Sequence, residues 1–210
     1  MIIDDLFYDV IIIGTGAGGG TLARKLAPTG LKILVLERGD YQAKESSELS
    51  DTEVFKKEQY HAPESWTDEA GEPFYPQTNY AVGGNTKTWY GALMRMRERD
   101  FEAVRHQNGI SPEWELKYAD FEPYYTEAET LYQVHGKLGN DPTEPNHSQN
   151  YPFSEVDHEP AIVQEIYESL SKQELHPFHL PLGLGDQGRT DSEDSGTTPA
   201  LKYENVTLKT

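Results

Sequence analysis

The chain has 210 residues, no cysteine and a formal charge of 18 − 36 = −18. That charge repels phosphate backbones and anionic lipid headgroups, which disfavours nucleic-acid and membrane-surface partners. The absence of cysteine excludes disulfides, thiolate metal sites and a cysteine nucleophile. Apolar residues make up 36%, or about 39% when Gly replaces Tyr in the count, against 45–50% in typical domains; the chain is hydrophilic or short of core.

Asp4, Asp5 and Asp9 stand where a secretory signal needs basic residues, and the apolar run after them, Val10 to Ile13, is four residues long. No stretch approaches the roughly 18 apolar residues of a membrane span. These features lead us to expect a soluble, cytoplasmic protein without membrane association.

Residues 7–13 read as a buried strand, being β-branched, nearly continuous and too short for a helix. Leu22, Ala23, Leu26 and Ala27 then fall on one helical face, Pro28 and Gly30 close that helix, and LKILVLE (31–37) forms a second apolar strand. Strand, helix and strand within about 30 residues imply two parallel strands joined by a crossover. From Tyr41 to Asn79 charged residues, Pro and aromatics dominate, which suggests an excursion or lid. Glycine and apolar content return over residues 80–101, and Asp120 caps an expected helix carrying Phe121, Tyr124, Leu131 and Val134. A further helix is expected over about 159–172, with Ile162, Ile166 and Leu170 four apart. Residues 139–152 and the stretch after Pro177 read as loops, and NVTLK (205–209) reads as another strand.

The first two strands enclose a G-x-G-x-x-G motif at Gly14, Gly16 and Gly19, and Glu37 follows 18 residues after the last glycine. Gly14 permits a tight turn, Gly16 lets main chain approach a pyrophosphate, and Gly19 lets the helix pack on the strand. The helix start turns unpaired N–H groups toward phosphate, while a carboxylate at position 37 accepts ribose hydroxyls and disfavours a 2′-phosphate. Gly14, Gly16, Ala17, Gly18 and Gly19, with Glu37 and its neighbour Arg38, are therefore the candidate ADP-binding residues. The Lys-Ser/Thr pair of a phosphate-loop NTPase is absent, since GTGAGGGT ends in Gly20-Thr21. The motif does not by itself separate FAD from NAD.

A second glycine pair, Gly83-Gly84, opens YAVGGNTKTWYGALMRMRERDF at residues 80–101. On pattern alone it fits an ordinary loop-to-helix junction equally well. In order and content, however, the two blocks resemble the glucose-methanol-choline (GMC) oxidoreductases, nearest their pyranose and sugar branch. The resemblance covers most of the chain, including DPTEPNHSQNYPF and LHPFHLPLGL. It implies an FAD enzyme that removes hydride from a CH–OH carbon of a small alcohol or sugar onto flavin N5, with a histidine base. It places Gly83, Gly84, Asn85 and Thr86 near the isoalloxazine. Thr88 occupies the position before Trp89 where pyranose oxidases carry a flavin-linked histidine, so the FAD is expected to be non-covalent. The family's catalytic histidine block lies several hundred residues downstream and matches none of the seven histidines here, so no catalytic residue is assigned. Relatives also have a longer, Cys-containing stretch where this chain has DQGRTDSEDSGTTPAL, which suggests a product both truncated and internally shortened.

The expected fold is α/β, a Rossmann-type FAD-binding domain with an incomplete parallel sheet of at most three strands and part of a substrate-side region. Residues 1–40 and 80–110 would form the FAD-binding domain, completed in relatives beyond residue 210. Residues 41–79 would form the excursion, 111–204 a helical and loop region, and 205–210 a further strand. Such a fragment should bind FAD weakly or not at all and expose apolar surface. A non-catalytic nucleotide-binding remnant is the alternative, and an NAD-dependent dehydrogenase, for which no nicotinamide-side residues appear, a lesser one.

Other residue types carry less. His176 and His179, in HPFH, lack a carboxylate at matching spacing and read as loop residues rather than metal ligands. His61, His106, His135, His147 and His158 read as solvated. Trp89 and Tyr90 fit core as readily as a flavin-facing surface, and Arg95, Arg97 and Arg99 fit an exposed or edge strand as readily as a phosphate contact. The acids of residues 111–129 include no isolated pair in an apolar setting, so glycosidase chemistry has little support.

Overall fold

The computed structural model describes residues 7–42, 62, 64–76, 78–155, 160–186 and 188–210; residues 43–61 of the expected excursion, with His61, and His158 lie outside these. In chain order the first elements are β1 (Val10–Ile13), α1 (Ala17–Leu26), β2 (Ile33–Leu36), β3 (Trp66–Thr67), β4 (Pro73–Phe74), β5 (Val104–His106) and β6 (Gly109–Ser111). There follow α2 (Tyr118–Leu131), β7 (Val134–Gly136), β8 (Phe153–Ser154), α3 (Ala161–Ser171), β9 (Leu182–Gly185), β10 (Gly188–Arg189), α4 (Thr198–Ala200) and β11 (Val206–Lys209). They divide into two units, Met1–Tyr90 with Thr190–Thr210, and Gly91–Arg189.

In the first unit β1, β2 and β11 form a parallel sheet in the order β1-β2-β11, with Ile33 level with both Val10 and Val206. This is the three-stranded α/β arrangement expected. Alternation along the strands sends Ile12, Ile33, Val35 and Val206 to one face, where they pack with Ala23 and Ala27 of α1 and with Ala200. Gly30 (φ +78°) ends the helical turn after α1. The other face of β1 is bare: Ile11 and Ile13 are 58% and 85% exposed, whereas Ile12 between them is 5% exposed.

The second unit is built differently. β10, β9, β7 and β8 form a small mixed sheet, β5 and β6 a hairpin, and α2 lies between them in sequence. α2 begins at Tyr118, with the Asp120 carboxylate accepting the Lys117 N–H at 2.8 Å, so Asp120 sits inside the first turn rather than before it. The helix ends at Leu131 and Val134 opens a strand, a correction to the single helix expected through both. In α3 Ile162 and Ile166 are exposed, and the helix has no buried residue.

Candidate dinucleotide site

β1 runs into Gly14, whose N–H donates to the Leu36 carbonyl at 2.7 Å and whose φ is +89°, a conformation that favours glycine. Gly16 caps α1 in extended conformation, with no side chain bonded to the first helical amides and no acid in the first turn. Such a start presents free N–H donors and the positive end of the helix dipole. The glycines differ in what holds them. A Cβ on Gly19 would lie 2.0 Å from the Gly14 carbonyl oxygen, whereas one on Gly16 or Gly18 would meet nothing within 4 Å. Internal packing therefore demands glycine at 19, while at 16 and 18 the bare backbone faces open space. That is the room a diphosphate needs to reach the amides.

The second glycine pair reaches the first through the end of β2. Asp40 bridges Ala81, the Val82 N–H donates to the Asp40 carbonyl at 3.2 Å, and a Cβ on Gly39 would stand 2.0 Å from the Tyr80 carbonyl carbon. This close pairing brings Gly84 so near the turn that its Cβ would lie 3.3 Å from Gly16 Cα, and the Gly83 N–H donates to Thr15 Oγ1 at 2.9 Å. Gly83 and Gly84 both have positive φ, +97° and +56°. Thr86 is buried and donates to the Gly83 carbonyl at 2.6 Å, while Asn85 is exposed and accepts the Asn79 N–H at 2.7 Å. Ala17 and Gly18 are exposed at the helix start.

Glu37 points at the turn but is occupied by protein donors. Its Oε2 accepts the Thr15 N–H (2.8 Å) and hydroxyl, and its Oε1 accepts the N–H groups of Arg38 (2.7 Å) and Gly39 (3.0 Å). A ribose hydroxyl would have to replace one of these donors. Arg38 does not turn toward the glycines. Its guanidinium lies 4.0 Å from the centre of the Tyr80 ring and pairs with Glu64. The Tyr80 hydroxyl donates to Glu64 at 2.6 Å, and that hydrogen bond chiefly holds the Glu64 carboxyl below its usual range.

A third segment, read from the sequence as loop, completes the turn. Glu193–Thr197 form a π-helical turn that continues into α4 and crosses α1 at two glycines, since a Cβ on Gly196 would lie 2.5 Å from the Gly20 carbonyl carbon. Arg24 of α1 donates to the Ser195 carbonyl. The Ser192 hydroxyl lies 2.8 Å from both the Thr15 and Gly16 carbonyl oxygens, and its N–H donates to Thr86 Oγ1 at 2.9 Å. Lys87 reaches the same segment, donating to Asp191 at 2.9 Å and to Glu193. Burial alone would lower the Lys87 pKa, but the bonds to the two carboxylates outweigh it and hold the ammonium above its usual value. The indole of Trp89 is likewise tied, donating to the Thr190 carbonyl at 2.8 Å. The sequence signal for this segment is Gly20, a glycine beyond the three the motif explains.

In the second unit several basic and histidine side chains are engaged by the protein itself. Arg95 is 3% exposed, binds Glu129 through two nitrogens (2.6 and 2.7 Å) and also donates to Tyr118, Glu122 and Thr126. This corrects its reading as an exposed-strand or phosphate-facing residue. Arg97 pairs with Asp141. His147, expected to be solvated, has a side chain only 1% exposed, 3.3 Å from Glu144 and edge-on to Tyr151. Burial, then the Arg95 charge, lowers its pKa. His106 and His135 are engaged by Ser111 and the Ser154 carbonyl, and the His179 ring packs on Tyr167. Among the described residues no cluster of His, Asp or Glu has the arrangement of a metal site, and no helix is long and apolar enough to cross a membrane.

Known proteins resemble this arrangement. A family model described as GDI, GDP dissociation inhibitor, matches residues 3–83, the span of strand, turn, helix and second strand. Paromamine 6'-oxidase of Streptomyces fradiae is 28% identical over 188 residues, covering 86% of this chain and 32% of that protein. The fructose dehydrogenase large subunit of Gluconobacter japonicus is 28% identical over 169 residues, covering 70% and 31%. The chain thus spans about a third of the length of these relatives. In fold, an FAD-dependent oxidoreductase from Chaetomium thermophilum superposes with a TM-score of 0.64 at 16% identity, covering 97% of this chain and 38% of that one. These relatives and structural neighbours are oxidoreductases of the glucose-methanol-choline type, to which the chain is similar, and its first unit shares the Rossmann-type α/β fold of their FAD-binding domains.

Proposed function

We propose that this chain is the FAD-binding part of an oxidoreductase acting on the CH–OH group of an alcohol or sugar. The observation that carries the reading is the open cradle at Gly16, where unpaired helix amides, a glycine not required by packing and the second glycine pair converge. In this reading the amides of Gly16, Ala17, Gly18 and Gly19 hold the diphosphate, Gly14 shapes the turn, and Glu37 takes the adenosine ribose in exchange for one of its protein donors. Arg38 steadies the end of β2 through Tyr80 and Glu64. Gly83, Gly84, Asn85 and Thr86 lie along the flavin side. Bound FAD supplies the acceptor for the substrate hydride. The hold is non-covalent, since Thr88 replaces a linking histidine, and no histidine of this chain is assigned as the base.

A second reading, nucleotide binding without redox chemistry, draws on Glu37, whose carboxylate is already satisfied by protein donors. Titration of the purified chain with FAD and with ADP, followed by NMR and by flavin absorbance near about 450 nm, tests the site. The expected result is weak binding that perturbs the amides of residues 16–19 and Glu37. Absence of any perturbation at millimolar ADP overturns the nucleotide site, and sub-micromolar, equimolar flavin overturns the expectation of an incomplete domain.

A further inference from the structure

We infer that Ser192 is a positioning residue for the diphosphate, acting through the main chain of the glycine turn; the inference rests on the nucleotide-binding reading above. A trans peptide is planar, and its C=O and N–H point in opposite directions. The carbonyl of Thr15 shares a peptide with the N–H of Gly16, and the carbonyl of Gly16 shares one with the N–H of Ala17. Ser192, itself fully buried, places its hydroxyl 2.8 Å from both carbonyl oxygens. Drawing those oxygens to one side aims the Gly16 and Ala17 amides to the other, where Gly16 and Gly18 face open space.

The surrounding residues are arranged to permit this grip. A Cβ on Gly20 would lie 2.2 Å from Ser192 Oγ, so the glycine after the motif exists to admit the serine. Ser192 is in turn fixed by its N–H bond to Thr86 Oγ1 at 2.9 Å, and Thr86 donates to the Gly83 carbonyl. Lys87 holds Asp191 and Glu193 on either side. One serine, through its hydroxyl and its N–H, thereby couples the pyrophosphate turn, the second glycine pair and the segment before the π-helical turn. Loss of the hydroxyl frees the Thr15 carbonyl, leaves the Gly16 carbonyl held by the Gly20 N–H at 2.9 Å alone, and costs preorganisation of the amides rather than a ligand contact.

The test compares ADP with adenosine on the full chain by NMR titration, for the wild type and for Ser192→Ala. In Ser192→Ala, ADP affinity should fall roughly tenfold, the scale of one lost hydrogen bond to organised main chain. Adenosine affinity, set by Glu37 and lacking phosphate, should stay within about twofold. Equal losses for both ligands overturn the inference, because they indicate general loosening; unchanged ADP affinity overturns it as well. Thr86→Val is the second arm: by releasing the serine it should reproduce the ADP-selective loss, and an unselective loss there counts against the coupling. If the wild type binds neither ligand, the nucleotide-binding reading itself fails and takes this inference with it.

Discussion

At the glycine turn of the first unit, main-chain amides face open space and the side chains around them, Thr15, Ser192 and Glu37, bond inward to backbone. At Arg95 in the second unit, a guanidinium is enclosed by two carboxylates, a phenol and a threonine, and every contact is side chain to side chain. The first arrangement leaves hydrogen-bonding capacity for a ligand. The second leaves none, because burying a charge demands complete internal pairing. The glycine turn thus keeps polar capacity for a ligand, and the Arg95 network spends it on holding the fold.

The sharpest way to break that contrast is to remove Arg95. Arg95→Leu leaves Glu129 buried and unpaired and deprives Glu122 of its cation. Loss of one partner of such a buried network costs about 3–5 kcal/mol, which urea denaturation monitored by circular dichroism will register. A loss below about 1 kcal/mol would place the network in solvent and remove the distinction between the two regions.

Next come two glycines only three residues apart. Gly19→Ala drives a methyl against the Gly14 carbonyl, 2.0 Å away, and should cost about 1–3 kcal/mol as the helix shifts. Gly16→Ala meets nothing within 4 Å; stability should change by less than about 1 kcal/mol, as for a helix N-cap, while ADP binding weakens markedly. Thermal melts and ADP titrations of both variants separate the packing glycine from the ligand glycine. If both variants lose stability alike, the open space at Gly16 does not exist in solution.

This pair also marks how far the sequence was readable. Strand, turn, helix, second strand and the strand character of β11 follow from local periodicity and glycine spacing, because each is decided within a few residues; the pairing of β11 with β2 joins residues over 170 positions apart and does not. The Ser192 segment was not legible, since its partners Thr15 and Gly16 are over 170 positions away and its helical turn includes Gly196 and precedes Pro199, residues that by themselves signal loop. Arg95 and His147 escaped for a related reason. Arg95 alternates with Arg97 and Arg99 as on an exposed strand, and His147 has polar neighbours; only packing against α2 or Tyr151 buries them. Glu37 lies at the turn, but its four protein donors are a property of the folded main chain, not of spacing.

Acid sensitivity gives a smaller effect with a definite sign. His147 has its pKa lowered by burial and by Arg95, against the opposing charges of Glu129, Glu144 and Glu122. Below its ordinary value of 6.5 the unfolded chain binds a proton that the native state resists, so stability falls as pH drops from about 7 toward 5. Glu122 acts in a separate window. The Ser148 N–H is the main cause holding its pKa at about 2, so its contribution is present above the ordinary 4.5 and is lost as pH falls from there. Urea midpoints at pH 7.5 and 5.5 for wild type and His147→Leu isolate the first effect. The variant should show the shallower pH dependence, and identical slopes would mean that His147 titrates freely.

The smallest expected change concerns the bare face of β1. In parallel sheets both faces are ordinarily covered, yet Ile11 and Ile13 are mostly exposed while Ile12 is buried with α1. The paired change Ile11→Thr and Ile13→Thr keeps β-branched residues suited to a strand. It removes only surface that water already reaches, so folding stability should stay within about 0.5 kcal/mol. Binding of a hydrophobic dye and concentration-dependent self-association should both decrease, since two large apolar groups leave one contiguous face. A stability loss above about 1 kcal/mol would show that something covers these residues in solution. The face would then belong with the enclosed environment of Arg95, not with the open one at Gly16.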